Sequence, residues 1–328
     1  MPKSSSRFEA GSSDPVKNRT ASDSGRLEAS VWRRRQARAV RLISVTSILF
    51  SAGCGGQLGH RSYLEFAGGT SIPAAIRKVR VEVENGTVGI LVQPTAEGAR
   101  IRWKGGIRRA ASSAEVLTEI ERVAGEFTIL ADPEDQSILV VRAPRLPTVP
   151  SMPDLVLHAV LGVEASLMLP AALPVDLNVT GSGHVVIDGR EAAVTATTGR
   201  GDMRLTSCRG PARLRSGNGM TIVDDHVGDL DIQAVVGAMQ VFVRDPGKSL
   251  RLVTRQGDIQ CYVPPETSFR VDGRAEIGKV GNGFGLEMRK VGDYSALLTG
   301  MRGDGATEIV LRTGSGHLSL NHKVFPPR

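Results

Sequence analysis

Aromatic side chains are scarce in this sequence. Eight Phe, three Tyr and two Trp amount to 4% of 328 residues, too few for a surface built to stack sugars or bases on rings. A surplus of positive charge is also missing from most of the chain. The net charge is +7, but residues 1–53 hold ten Lys/Arg against four Asp/Glu, and the remainder is balanced to within one charge. The basic character therefore belongs to a leader, and a nucleic-acid-binding face is not expected. Long apolar runs are lacking as well. Leu42–Phe50 is about half the roughly 20 residues that a spanning helix needs. No GxSxG elbow, P-loop, dinucleotide fingerprint or HExxH occurs. Glycine, in contrast, is abundant at 38 residues, which favours many tight turns over long helices.

The first 53 residues read as a leader. Residues 1–30 are Ser-rich and polar without apolar periodicity, the composition of a disordered segment. Arg33, Arg34, Arg35, Arg38 and Arg41 then precede LISVTSILF and the small-residue stretch SAGC, Ser51–Cys54. This is the order of a cleaved export signal: a positive region, a short apolar region and a cleavage zone. The signal begins late, which fits translation starting at Val31 or Val40. SAGC resembles the lipobox of bacterial lipoproteins, with Ser51 where that motif usually has Leu. The resemblance implies cleavage before Cys54, acylation of its thiol and anchoring in a lipid bilayer, each buried CH2 contributing about 0.8 kcal/mol. Gly55 after the Cys resembles the outer-membrane sorting pattern, should the host have an outer membrane. An ordinary signal peptide with an incidental Cys is the competing reading.

Residues 54–75 read as a flexible tether. A β region with one helix follows over 76–150. KVRVEVENGTVGILVQP alternates apolar and polar residues, with Val79, Val81 and Val83 on one face, and Asn85-Gly86 between two such runs predicts a hairpin. Val116, Leu117, Ile120 and Val123 recur at helical spacing, with Ser112 or Ser113 as cap and Gly125 as stop. A strand, a turn at Asp132-Pro133 and a second strand follow, then a proline-rich loop over 143–153.

From 151 to 322 the chain repeats itself. TGSGHVVI at Thr180–Ile187 returns as TGSGHLSL at Thr313–Leu320. Gly183, Gly201, Gly219 and Gly237 are spaced by 18 residues, Gly257 follows 20 later, and Gly316 closes the series. Two residues after each stands Val185, Met203, Thr221, Met239, Ile259 or Leu318, and four after stands Ile187, Leu205, Val223, Val241, Cys261 or Leu320. A second alternating pair keeps the same period: Val194/Ala196, Ala212/Leu214, Leu230/Ile232 and Leu250/Leu252. Two short strands per unit, each too small to bury its apolar face alone, predict an all-β, β-solenoid-like stack that buries a continuous column at about 4.8 Å per rung. The glycines are then corners that need φ > 0 or close backbone approach.

LMLPAALPVDLNVTGSGHVVIDG, its echoes TGRGDMRL and RQGDIQCYVPPETSFRV, and the closing GATEIVLRTGSGHLSL resemble the bacterial putative-adhesin family of β-strand repeats, a domain of unknown function, from the strands near Val79 to Leu320. The resemblance implies an envelope location and an adhesive role, and names no ligand.

The residues after the corner glycines are His184, Asp202, Met220, Ala238, Asp258 and His317. His184 and Asp202 would be neighbours on adjacent rungs, where a metal or acid–base site is conceivable. Met220 and Ala238 interrupt the row and no third ligand stands in register, so neither metal nor cofactor is expected. GDxxL and GxGD resemble calcium-binding β-rolls, but those need a nine-residue unit with regular Asp. Cys208 and Cys261 lie about three rungs apart, roughly 14 Å, beyond the 7 Å that a disulfide bridges, so both should be free thiols. Arg204, Thr206, Arg213, Arg215, Asp224, Asp225, Asp229 and Asp231 mix charges on the outward positions and read as a solvated face.

The expectation is thus a non-enzymatic, membrane-anchored lipoprotein of the cell envelope, in a surface-presenting, adhesive or scaffolding role. Its partners would be the bilayer through Cys54 and an envelope protein or surface glycan. The alternative is a β-helix enzyme acting on polysaccharide, which would need a groove of convergent carboxylates.

Overall fold

The computed structural model describes residues 41–47, 61–84, 86–92, 100–110, 128–143 and 162–326. The leader up to 40, Cys54 and the expected helix around Val116–Val123 lie outside the described residues.

In chain order, β1 (Arg41–Ser47) and β2 (Arg61–Ser71) precede a two-stranded coil of β3 (Lys78–Val83) and β4 (Gly86–Val92). Next come β5 (Arg100–Ala110), β6 (Thr128–Ala131) and a coil of β7 (Ile138–Arg142) and β8 (Gly162–Leu169). Five regular coils follow: β9 (Val175–Ser182) with β10 (Val185–Asp188), β11 (Val194–Arg200) with β12 (Met203–Thr206), β13 (Ala212–Asn218) with β14 (Thr221–Val227), β15 (Leu230–Val236) with β16 (Met239–Asp245), and β17 (Ser249–Gln256) with β18 (Ile259–Val263). A coil of β19 (Phe269–Ile277) and β20 (Val280–Asn282), a hairpin of β21 (Glu287–Val291) and β22 (Ser295–Arg302), and a last coil of β23 (Thr307–Ser315) and β24 (Leu318–His322) complete the described chain.

Each coil gives one strand to each of two sheets of twelve described strands, and successive regular coils pair in parallel with repeat positions in register, apart from irregularities after Val223 on β14 and after Thr198 on β11. Met203 stands beside Val185 and Thr221, and Leu214 beside Ala196 and Ile232. Alternation then does the rest: in a strand every second side chain faces one side. Val185, Ile187, Met203, Leu205, Val241 and Ile259 of the first sheet are buried, as are Val194, Leu214, Ile232, Leu250 and Leu252 of the second. At about 1.5–3 kcal/mol for each large apolar side chain taken from water, this double column is the main source of stability. The all-β solenoid-like stack expected from the 18-residue period is the observed architecture.

Sequence order and spatial order part company at both ends. β23 lies between β17 and β19, and β24 between β18 and β20, so the coil written last is inserted beneath the one written before it. The N-terminal side mirrors this. β3 lies between β7 and β9, and β4 between β8 and β10, so the first coil written is also second from its end. Antiparallel strands flank the outer coils: β6 on β7, β5 on β8, and β22 on β19.

Two local expectations change. The Asn85-Gly86 signal makes no hairpin. β3 and β4 belong to different sheets, and Gly86, with φ 149°, is a corner of the same kind as those in the repeats. A neighbouring parallel coil supplies more pairing than a two-residue turn onto β3 could. Within the stretch read as a tether, Arg61–Ser71 is β2, paired antiparallel along its length with β5. The turn at Asp132 does join two antiparallel strands, with its carboxylate accepting the backbone N–H groups of Glu134 and Asp135.

Candidate functional site

Four zones of the stack carry polar chemistry. The first is the glycine corner. A Cβ on Gly183 would lie 1.7 Å from the carbonyl oxygen of Gly86, one on Gly219 would lie 2.2 Å from that of Gly201, and one on Gly278 would lie 1.8 Å from that of Gly316. Consecutive corners therefore rest directly on one another. Gly201, Gly219, Gly237, Gly257 and Gly316 also have φ between 124° and 149°, which side chains strain to adopt.

Beside the Gly183, Gly201, Gly257 and Gly316 corners, the next side chain captures the neighbouring coil. His184 Nδ1 accepts the N–H of Asp202 at 3.2 Å, and Asp202 Oδ1 accepts the N–H of Met220 at 2.8 Å. Asp258 Oδ1 accepts the N–H of His317 at 2.7 Å, and His317 Nδ1 accepts the N–H of Lys279 at 3.2 Å. His and Asp share an acceptor at a reach that suits the gap, whereas Met220 and Ala238 offer none. Inside the corner, the Thr313 hydroxyl donates to the Gly257 carbonyl at 2.8 Å, a third tie between neighbouring coils.

The second zone is the opposite turn. Gly189, Ser207 and Asp225 stand 18 residues apart and have φ of 66°, 51° and 57°. A left-handed residue there throws the next side chain inward, so Arg190, Cys208 and His226 form a buried column on three successive coils. The Arg190 guanidinium donates to the backbone carbonyls of Leu169, at 3.2 Å, and Leu173. Its Nε has no partner among the described residues, and burial lowers its pKa to about 10. Burial pushes the Cys208 thiol up to about 11, and the thiol donates to the Thr206 carbonyl at 3.3 Å. Burial also lowers the pKa of His226, whose Nε2 lies 3.4 Å from the Asp229 carbonyl oxygen. An uncharged thiol is a poor nucleophile, and the column reads as a polar plug that closes the core.

The third zone is the outer face of the second sheet. Asp231 lies 2.8 Å from Arg215, 3.7 Å from Arg213 and 3.9 Å from Arg251, which belong to the coils on either side. Asp229 Oδ1 accepts the N–H groups of Lys248 and Ser249. What reads in sequence as a solvated charge mixture is in part a set of ties between coils.

The fourth zone is the outer face of the first sheet. Phe242 and Tyr262 are register partners on β16 and β18, and their rings stack with centroids 4.6 Å apart. Asp224 and Asp225 lie alongside, ion-paired with Lys323 and Arg244.

Comparison with known proteins gives one family match and one similar solved structure. The family model Toastrack DUF4097 matches residues 177–321. A crystal structure of a putative cell adhesion protein from Clostridium sporogenes is similar at 11% identity and a TM-score of 0.34, over 80% of this chain and 100% of that one. No curated protein matches.

Gly183, Gly201, Gly219, Gly237, Gly257 and Gly316 all stand at one edge of the stack, joined there by Gly86 and Gly278. His184 and Asp202 are brought together, Nδ1 lying 3.7 Å from Oδ2, and so are Asp258 and His317. Among the described residues no group of three or more His, Cys, Asp or Glu side chains is arranged to hold a metal. Cys208 and Cys261 are both free and buried, and burial pushes Cys261 up to about 12. The buried Arg190–Cys208–His226 column went unread in the sequence, although its 18-residue spacing is the period of the glycines. The aromatic pair was missed because overall scarcity hid a local concentration: Phe242 and Tyr262 are adjacent only once the 20-residue spacing is folded into neighbouring coils.

Proposed function

We propose that the chain is an exported lipoprotein, acylated at Cys54, that holds its stack at a membrane of the cell envelope as a non-enzymatic binding or scaffolding surface. One observation carries the non-enzymatic part. The polar residues that could be mistaken for a catalytic row, His184, Asp202, Asp258 and His317, each accept a backbone N–H from the next coil. They are fasteners of the stack. The carboxylates that do converge, Asp224 and Asp225, are each engaged by a cation, which does not suit them to the acid and base roles of polysaccharide cleavage.

The anchor is supported by the basic, apolar and small-residue order that ends at Cys54. No helix among the described residues is long and apolar enough to cross a membrane. Cleavage before Cys54 would remove β1 and leave β2 as the edge of the first sheet. A host with an outer membrane would carry the protein there, and the partner would be an envelope protein or a surface glycan. Incorporation of labelled palmitate tests the anchor: label in the wild type and none in Cys54→Ala supports it, and an unlabelled wild type overturns it.

A further inference from the structure

The aromatic pair on the first sheet is already covered, and what covers it is informative. After β24 the chain runs on as Lys323–Pro326 without strand structure, held to the sheet by one backbone hydrogen bond from the Lys323 N–H to the Val263 carbonyl. The other ties are recognition-like. Lys323 Nζ sits 3.9 Å from the Phe242 ring centroid and 3.8 Å from Asp224. The Phe325 ring lies under the Arg244 guanidinium at 5.0 Å, and Arg244 Nη1 donates to the Pro326 carbonyl at 2.7 Å. Asp225, held in a left-handed conformation with φ 57°, orients Arg244 from the other side. Val324, between the two anchoring residues, points away and is 77% exposed.

The patch thus reads alternate residues of an extended segment: a cation between Phe242 and Asp224, then an aromatic ring and the following carbonyl at Arg244. The coil architecture does not demand a carboxylate there, since the neighbouring coil has Thr206 in register with Asp224.

We infer that Asp224, Phe242, Tyr262 and Arg244 form a recognition site for an extended peptide with a basic residue two positions before a Phe-Pro, filled in this chain by its own Lys323–Pro326. The site deepens the reading of the stack as a binding surface and does not depend on the anchor. A tethered occupant competes at an effective concentration of around millimolar for a short link, so an external peptide enters only when the tail is loosened.

The test uses the labelled synthetic peptide HKVFPPR and fluorescence anisotropy on three proteins: the full chain, the full chain with Lys323→Ala and Phe325→Ala, and a chain ending at His322. Protection of the buried Cys208 and Cys261 thiols reports that each is folded. The two loosened proteins should bind the peptide at least tenfold more tightly than the full chain, and adding Phe242→Ala should remove that gain. Loosened, folded proteins that do not bind, or that bind equally well with Phe242→Ala, overturn the inference. A chain that takes palmitate but binds no peptide defeats only this inference, and one that binds peptide but takes no palmitate defeats only the anchor.

Discussion

His184 Nδ1 accepts the backbone N–H of Asp202, 3.2 Å away and one coil along. Both side chains are more than half exposed, so the bond competes with water and is worth little. Replacing His184 by Ala should lower stability by about 0.5–1 kcal/mol, and His184→Asn, which keeps a side-chain acceptor, should recover part of the loss. Chemical denaturation of the two variants measures the difference. A loss of several kcal/mol would mean that His184 does more than hold the corner.

The corner glycines should be far less replaceable than others with the same backbone sign. Gly219 has φ 145° and a Cβ there would meet the Gly201 carbonyl oxygen at 2.2 Å, whereas Gly292 has φ 67° and nothing within 4 Å. Gly292→Ala should cost about 1 kcal/mol from backbone strain alone. Gly219→Ala adds a backbone collision that only moving a coil can relieve, and should cost about 3 kcal/mol or more. Equilibrium unfolding of the pair compares them directly.

Acid should weaken the stack through His226. Burial holds its pKa below the ordinary value of 6.5 in the folded protein, so below that value the unfolded chain binds the extra proton and the folded one does not. The contribution is complete above pH 6.5 and is lost as pH falls through 6.5 towards the folded pKa, with a slope of at most about 1.4 kcal/mol per pH unit for one proton. Denaturation midpoints between pH 7.5 and 5 should fall in the wild type and fall less in His226→Leu. Equal slopes would remove His226 from the acid response.

The two buried thiols supply a further check. With Cys208 and Cys261 pushed up to about 11 and 12, neither is a thiolate at neutral pH, and both are enclosed. A maleimide should leave them unmodified in the native protein and label both after denaturation. Rapid native labelling of Cys208 would show that the Arg190–Cys208–His226 column opens.

The repeats were legible because a parallel stack in register converts sequence period directly into spatial neighbourhood. Val185, Met203 and Thr221 are 18 residues apart and one coil apart. That legibility ends where the chain stops stacking in order. Nothing in GATEIVLRTGSGHLSL says that β23 and β24 slip between coils already written, because inward residues such as Ile309 and Leu311 suit an inner coil and an end coil alike. The Asn85-Gly86 dipeptide misleads for a related reason. A glycine at φ > 0 serves a hairpin and a solenoid corner equally, and only the neighbouring coil decides between them. The site on the first sheet was hidden by distance, since Asp224, Phe242, Tyr262 and Lys323 are spread over a hundred residues.

The order of the coils is the claim on which the other placements rest. Gln260 faces Ser319 on β24, and Ser319 in turn faces Gly281 on β20, so Gln260 and Gly281 are two coils apart, about 9.6 Å at the usual strand spacing. Oxidising paired cysteine variants measures this directly. Gln260→Cys with Ser319→Cys should form a disulfide, and Gln260→Cys with Gly281→Cys should not. The reverse outcome would mean that the coils stack in the order in which they are written, contradicting the inserted last coil.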